Sequence, residues 1–258
     1  MRVIAFYSPK GGVGKTAAAV NTAYLASREG LQTLLWDLDP QGAASFYLAG
    51  AERVKGRKLS KLLEGKSAIA EYIHEDVYPA LDFIPAHSSF RNFDVRLDRD
   101  NEDNLLKNLL GPLSEDTSLV VLDCPPTLSR LTEQVLAVAD QVYVPVVPTW
   151  LSLNSWQQLQ EFVKSKKLGL KKLRPFYSMA DRRKNLHKEL LDRGPELLER
   201  FTGVAVPYAS VVERMGEEGL PLERLAPASA AAETYRQLWQ VVQSDLWVSG
   251  KAKPVRKR

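Results

Sequence analysis

Between an apolar run, Val3 to Tyr7, and an alanine-rich periodic stretch, Thr16 to Glu29, stand seven residues that leave the chain few options: Lys10-Gly11-Gly12-Val13-Gly14-Lys15-Thr16. The run before them stops at Ser8-Pro9, as a buried strand stopped by a turn would. The stretch after them spaces Ala19, Val20, Ala23, Leu25 and Ala26 at helical intervals, and Gly30 stands where a helix C-terminal glycine belongs. Gly11, Gly12 and Gly14 allow backbone conformations and close approaches that a side chain would block. Strand, glycine loop and helix in that order open a strand–helix–strand unit, which commits the chain to parallel pairing.

The alternation continues. Thr33-Leu34-Leu35-Trp36 is a second apolar strand, ended by Asp37-Leu38-Asp39-Pro40-Gln41-Gly42. Short helices are expected near 59–63 and 69–73, a strand over 81–85 and a helix over 101–110. Leu119-Val120-Val121-Leu122 is the clearest buried strand and stops at Asp123-Cys124-Pro125-Pro126. Helices over 131–139, 152–167, 185–200 and 229–246 then alternate with strands over 141–147, 174–178 and 204–206. This pattern predicts an α/β fold, a doubly wound and mostly parallel sheet with helices on both faces. With 45% apolar residues among 258, and no repeat or low-complexity linker, residues 1–248 are expected to form a single domain, followed by a basic, flexible tail over 249–258. No apolar run approaches the roughly 18 residues of a membrane span, and none suits a signal peptide. The single cysteine, Cys124, allows no internal disulfide and no metal-ligand spacing, so a cytoplasmic protein is expected.

The loop has the chemistry of a phosphate site. Its N–H groups can turn inward at a helix N-terminus that is itself partly positive. Lys15 is placed to reach the β and γ phosphates of a nucleoside triphosphate, and the Thr16 hydroxyl to ligate Mg²⁺. The strict pattern G-x-x-x-x-G-K-[ST] is broken by Pro9 at its first glycine, but the strand-to-helix setting is the one the mechanism requires. Asp37 and Asp39 lie just past the end of the second strand, at the edge where open parallel sheets bind ligands. Asp123 follows four apolar residues, where a strand end can present a carboxylate to a metal or its water.

In this form the loop resembles that of the ParA/MinD group of P-loop ATPases, whose x-K-G-G-x-G-K-[ST] is matched at every fixed position by Lys10 to Thr16. The resemblance covers nearly the whole chain and implies an ATPase that uses ATP and Mg²⁺. It implies nucleotide contacts from Lys10, Gly11, Gly12, Val13, Gly14, Lys15, Thr16 and Ala17, and a homodimer in the ATP state in which Lys10 reaches the phosphates held by the partner subunit. Asp39 would help place the attacking water, which makes Lys10, Lys15 and Asp39 the catalytic set. Thr16, Asp37 and Asp123 would serve the metal, Asp37 from its outer shell. Asp123-Cys124-Pro125-Pro126 resembles the family's second switch, with Cys124 where threonine is frequent. Met179, Pro207 and Tyr208 fall in segments similar to those that border the adenine. The iron–sulfur branch of this fold uses two cysteines from each subunit, and one cysteine excludes it.

Charge is unevenly distributed. The net of +4 comes from 35 basic and 31 acidic residues, yet segment 164–188 holds ten Lys/Arg against Asp181 alone, and 251–258 adds five with no acid. Such runs suit either a solvated face or a polyanion. Most ParA-like ATPases bind DNA without sequence preference in the ATP state and position a cargo, and they are reset when a partner stimulates hydrolysis. On that resemblance the partners are a second copy, non-specific duplex DNA and a hydrolysis-stimulating cargo adaptor of ParB type, and the protein is nucleoid-associated. Candidate DNA contacts are Lys171, Lys172, Arg182, Arg183, Lys184 and Arg214. The Ile-Pro-Arg-x-x-Arg of many chromosomal ParA proteins reads Val206-Pro207-Tyr208-Ala209-Ser210-Val211 here, without either arginine. No helix-turn-helix extension precedes the core, so operator-specific repression is not expected.

Two rivals stay open. A MinD-like ATPase would bind membrane through a C-terminal amphipathic helix, and Leu238, Trp239, Val242, Leu246 and Trp247 form an apolar stripe followed by basic residues. Packing of that helix on the sheet explains the stripe equally well. A metabolic amidoligase-type enzyme of the same superfamily is the other rival, and nothing in the sequence marks its substrate pocket.

Overall fold

The structure, a computed structural model, describes residues 1–48, 56–58, 60–63, 67–89 and 103–247; the basic tail expected over 249–258 lies outside them. Eight strands among the described residues form one sheet: β1 (Arg2–Phe6), β2 (Thr33–Asp37), β3 (His74–Tyr78), β4 (Leu81–Ile84), β5 (Leu119–Asp123), β6 (Gln141–Val146), β7 (Leu173–Ala180) and β8 (Ala205–Pro207). Their spatial order is β3-β4-β2-β5-β1-β6-β7-β8. Every pair is parallel except β3 with β4. β2 and β5 are buried at all five positions, which is why they read as unbroken apolar runs rather than alternating ones. Along β1 the pleat sends Val3 and Ala5 into one apolar layer and Ile4 and Phe6 into the other, so the sheet has a core on each face.

The helix after β1, Lys15–Arg28, is buried at every position but Thr16 and Arg28. Its alanines let it lie close to both the sheet and the last helix, where larger side chains would hold it off. It ends as its sequence predicts: Gly30 sits at φ 81, its N–H donates to Ser27 O at 2.9 Å, and the Leu31 N–H donates to Ala26 O at 3.3 Å. The last helix, Ala230–Leu246, packs against it. Leu238, Trp239, Val242 and Leu246 are buried there, and the Trp239 indole N–H donates to Glu29 at 2.8 Å. Trp247 stacks edge-on against Trp239. The C-terminal stripe is therefore core and is not presented to a membrane. No helix among the described residues is long and apolar enough to cross one.

Several elements depart from the expected pattern, the short helix Ala43–Leu48 among them. β3 is an antiparallel edge strand with the polar sequence His-Glu-Asp-Val-Tyr; an edge strand needs no buried face, so periodicity passes over it. The helix expected over 185–200 breaks into Asn185–Asp192 and Gly194–Leu197. Pro195 cannot donate an N–H, and Gly194 lies where a Cβ would meet the Phe201 and Tyr177 rings at 2.9 and 3.0 Å. Helices Ser210–Glu218 and Leu222–Leu225 are additional; in the first only Met215 is fully buried among four charged residues.

Because the central strands run parallel, the loops after β1, β2, β5, β7 and β8 gather at one edge of the sheet. The same geometry divides the basic segment. β7 is eight residues long, about 26 Å of extended chain. Lys171 and Lys172 precede it at the far edge, whereas Arg182, Arg183 and Lys184 follow it at the loop edge. Several of these cations have local work. Lys172 Nζ donates to Leu136 O and Ala137 O at 3.4 and 3.1 Å, near the C-terminal end of the helix Arg130–Val138. Lys166 pairs with Glu133, Arg174 with Asp245, Arg183 with Asp181 and Arg214 with Glu218. Segment 164–188 is thus two separate clusters and not one patch.

Candidate functional site

The loop after β1 turns on two left-handed glycines, Gly12 at φ 67 and Gly14 at φ 88. Gly14 is demanding on both counts, since a Cβ there would lie 2.8 Å from the Ser178 hydroxyl. Gly14→Ala should therefore cost the protein about 1–3 kcal/mol of stability in chemical denaturation, from backbone strain and crowding at the end of β7. Glycine is tolerated better than alanine here for a reason independent of any ligand, so the same loss is expected in protein free of nucleotide.

Lys15 opens the following helix and is 6% exposed. Its ammonium donates to Lys10 O at 3.2 Å. Burial lowers its pKa, while the charges of Asp123 and Asp39 act to keep the proton. Beneath it, Asp37 at the end of β2 and Asp123 at the end of β5 are register partners, both fully buried. They differ in their partners. Asp37 accepts from Asp39 N at 3.1 Å and from Ala44 N at 3.2 Å, which ties the loop after β2 to the short helix Ala43–Leu48. Neither oxygen of Asp123 has a hydrogen-bond partner among the described residues. Burial pushes the Asp123 carboxyl up to about 7, with the Thr16 hydroxyl and the Lys15 ammonium pulling the other way.

A buried carboxylate without partners costs several kcal/mol unless something offsets it. A hard cation held between Asp123 and the Thr16 hydroxyl fits that deficit. No three His, Cys, Asp or Glu side chains among the described residues form a cage of their own. Such an ion would need further oxygens from a ligand and water, the usual coordination of Mg²⁺ with phosphates.

Above these groups opens a cavity of about 630 Å³. It brings together Gly11 through Ala17, Asp39, Pro125 and Pro126 at one end, with Met179, Pro207 and Tyr208 at the other. Met179, which lines the cavity, holds a left-handed φ of 55 near the end of β7. Asp39 lines it with a carboxylate that accepts from Gln41 N at 2.9 Å. Lys10 does not line it: its ammonium points to the helix Trp150–Ser165 and donates to Ser152 Oγ at 3.2 Å. Asp37 lies below the floor. Cys124 is buried, its thiol directed at Leu122 O and its pKa raised by burial, the setting of an inert thiol. Sequence reasoning missed Tyr47, Val212, Glu213 and Tyr235, which also line the cavity. They come from three helices far apart in the chain, and no local pattern marks them.

A family model described as an AAA domain (AAA_31) matches residues 1–173. The chromosome-partitioning ATPase Soj of Treponema pallidum is 28% identical over 243 residues, covering 92% of this chain and 95% of that protein. Among solved structures, a putative plasmid partition protein of Borrelia burgdorferi bound to AMPPNP superposes with a TM-score of 0.80 at 23% identity, covering 95% of this chain and 99% of that one. The septum site-determining protein MinD of Pyrococcus horikoshii, complexed with Mg-ADP, does so with a TM-score of 0.75 at 18% identity, covering 97% and 99%. Likenesses at that identity speak for the fold, which is the one built above. The chain belongs to the AAA_31 family and, by its loop, its sheet and its relatives, to the ParA/MinD-type P-loop ATPases.

Proposed function

We propose that the protein binds ATP with Mg²⁺ in the 630 Å³ cavity, hydrolyses it, dimerises in the ATP state, and in that state binds duplex DNA without sequence preference to position a cargo. The observation that carries the reading is the fully buried carboxylate of Asp123 below the glycine loop, which makes no well-formed hydrogen bond among the described residues and has only the nearby Thr16 hydroxyl and Lys15 ammonium to hold its charge. Asp123 and Thr16 would hold Mg²⁺, with Asp37 behind them, and the bound ion would neutralise phosphate charge. Backbone N–H groups of residues 11–16 and the Lys15 ammonium bind the phosphates. Asp39, on the cavity wall, orients the attacking water. Met179, Pro207 and Tyr208 flank the base.

For DNA, the candidates of choice are Arg182 and Lys184, at the same edge as the cavity and without an ion-pair partner among the described residues. Lys171 and Lys172 lie at the opposite edge, and the second is occupied by helix carbonyls. A ParB-like adaptor that stimulates hydrolysis, and a place on the nucleoid, follow from the kinship to partition ATPases.

Sedimentation with duplex DNA or with anionic liposomes, each with ATP or ADP across a salt series, tests this. ATP-dependent pelleting with DNA that falls steeply with salt is expected, with none on liposomes. DNA binding that ignores the nucleotide, or no binding at low salt, would remove the partition reading; pelleting with liposomes would favour the MinD-like one.

A further inference from the structure

The cavity also carries polar groups that the phosphate chemistry does not use. Tyr235, from the last helix, lines the cavity while only 2% exposed. Its hydroxyl has no hydrogen-bond partner among the described residues, and yet it is not sealed off as a buried orphan. It therefore opens on the cavity. Tyr47, from the helix Ala43–Leu48, lines the same cavity. Around them the wall is apolar: Ala17, Val206, Pro207 and Val212. Apolar walls with one or two polar groups among them are what a planar heterocycle needs, since the walls take its faces and the polar groups its edge. A ribose, with hydroxyls on several sides, suits the wetter mouth, where exposed Glu213 accepts from the Tyr208 hydroxyl at 3.2 Å.

We propose that the Tyr235 and Tyr47 hydroxyls together read the edge of the nucleobase, selecting a purine that presents an N–H beside a ring-nitrogen lone pair, as adenine does. The inference rests on the nucleotide reading above and deepens it. A phenol suits this task because it both donates and accepts. Of the pair, the Tyr235 oxygen is assigned the exocyclic N–H, from which it accepts, and the Tyr47 hydroxyl the ring nitrogen, to which it donates. Burial raises the Tyr235 pKa, so its phenol stays neutral at neutral pH. Tyr47 adds a link to the catalytic end. Its helix begins just after the loop that carries Asp39, and its ring holds that helix against Gly216 of Ser210–Glu218, where a Cβ would meet the ring at 3.0 Å.

Equilibrium binding of ATP, of purine riboside triphosphate (which lacks the exocyclic amine) and of 2′-deoxy-ATP tests the assignment in wild type and in Tyr235→Phe, which deletes one oxygen. Wild type should bind ATP about fivefold more tightly than purine riboside triphosphate, the weight of one ordinary hydrogen bond. In Tyr235→Phe, ATP should weaken by about the same factor and the two nucleotides converge, with the ratio of ATP to 2′-deoxy-ATP unchanged. Equal wild-type affinities for ATP and the amine-free analogue would overturn the proposal without any variant, so it stays testable if Tyr235→Phe folds poorly. Unchanged ATP binding in Tyr235→Phe would overturn it too, as would a change in the 2′-deoxy ratio, which would assign the hydroxyl to the ribose. Failure of wild type to bind any of the three would instead strike at the nucleotide reading itself.

Discussion

Asp39→Ala is expected to slow ATP hydrolysis by about a hundredfold or more while leaving the Kd for ATP within about threefold. The two acids after β2 look equivalent in sequence and are not equivalent in space. Asp37 is fully buried, with both oxygens spent on backbone amides that fix the loop and the helix after it. Asp39 is on the cavity wall, and among the described residues its side chain accepts only from Gln41 N, within its own turn. Removing it takes a negative charge from the cavity and with it part of the field that keeps Lys15 protonated, but Asp123 supplies the larger part and no hydrogen bond of the glycine loop is lost, so binding should survive the loss of turnover. Asp39→Asn sharpens the experiment, because its amide oxygen can keep the Gln41 bond while the charge is gone. Both variants should be inactive in single-turnover phosphate release and near normal in equilibrium binding. Turnover near wild type in either one would take Asp39 out of the catalytic set. Asp37→Ala should behave differently, by loosening the loop and lowering stability, since it leaves one buried and one half-buried amide without acceptors.

What could be read in advance follows the range of the forces involved. The glycine loop is legible because its glycines and lysines serve the backbone and a ligand within seven residues, so spacing alone carries the chemistry. β5 is legible because burial on both faces forces Leu119, Val120, Val121 and Leu122 to be apolar. β3 is not, because pairing along one edge is specified by backbone hydrogen bonds that any residue can make. The charge of segment 164–188 can be counted from composition, but its division by β7 into two clusters depends on which way that strand runs in the sheet. The far end of the cavity is the least legible part. Tyr47, Val212 and Tyr235 meet there only because the helices bearing them close over the sheet edge, a tertiary event that leaves no period in the sequence. Of the residues named from the sequence, Gly11 to Ala17, Asp39, Met179, Pro207 and Tyr208 thus line the cavity, while Lys10 and Asp37 do not.

Lys10→Ala is expected to bind ATP within about threefold of wild type, to stay monomeric with ATP bound, and to lose about a thousandfold in hydrolysis. The structure separates the two lysines of the loop. Lys15 lines the cavity and Lys10 does not, its ammonium instead meeting Ser152 Oγ at the start of the helix Trp150–Ser165. In a single chain Lys10 therefore points away from the phosphates that Lys15 would hold. Close by in sequence to Ser152, Trp150 and Leu151 are 53% and 64% exposed, two adjacent large apolar side chains at the start of the same helix. A second copy set against this face would bury them and draw Lys10 toward the partner's phosphates, where its charge offsets the charge that develops on the transferred phosphoryl. Dimerisation and hydrolysis then fail together in the variant although each chain still holds ATP, and this separates it from Lys15→Ala, where binding itself should fail. Sedimentation velocity with ATP distinguishes them. An Asp39→Ala background, which keeps ATP intact, should give a dimer, and adding Lys10→Ala should return it to monomer. A Lys10→Ala protein that still dimerises, or that hydrolyses at the wild-type rate, would mean that each active site is complete within one chain.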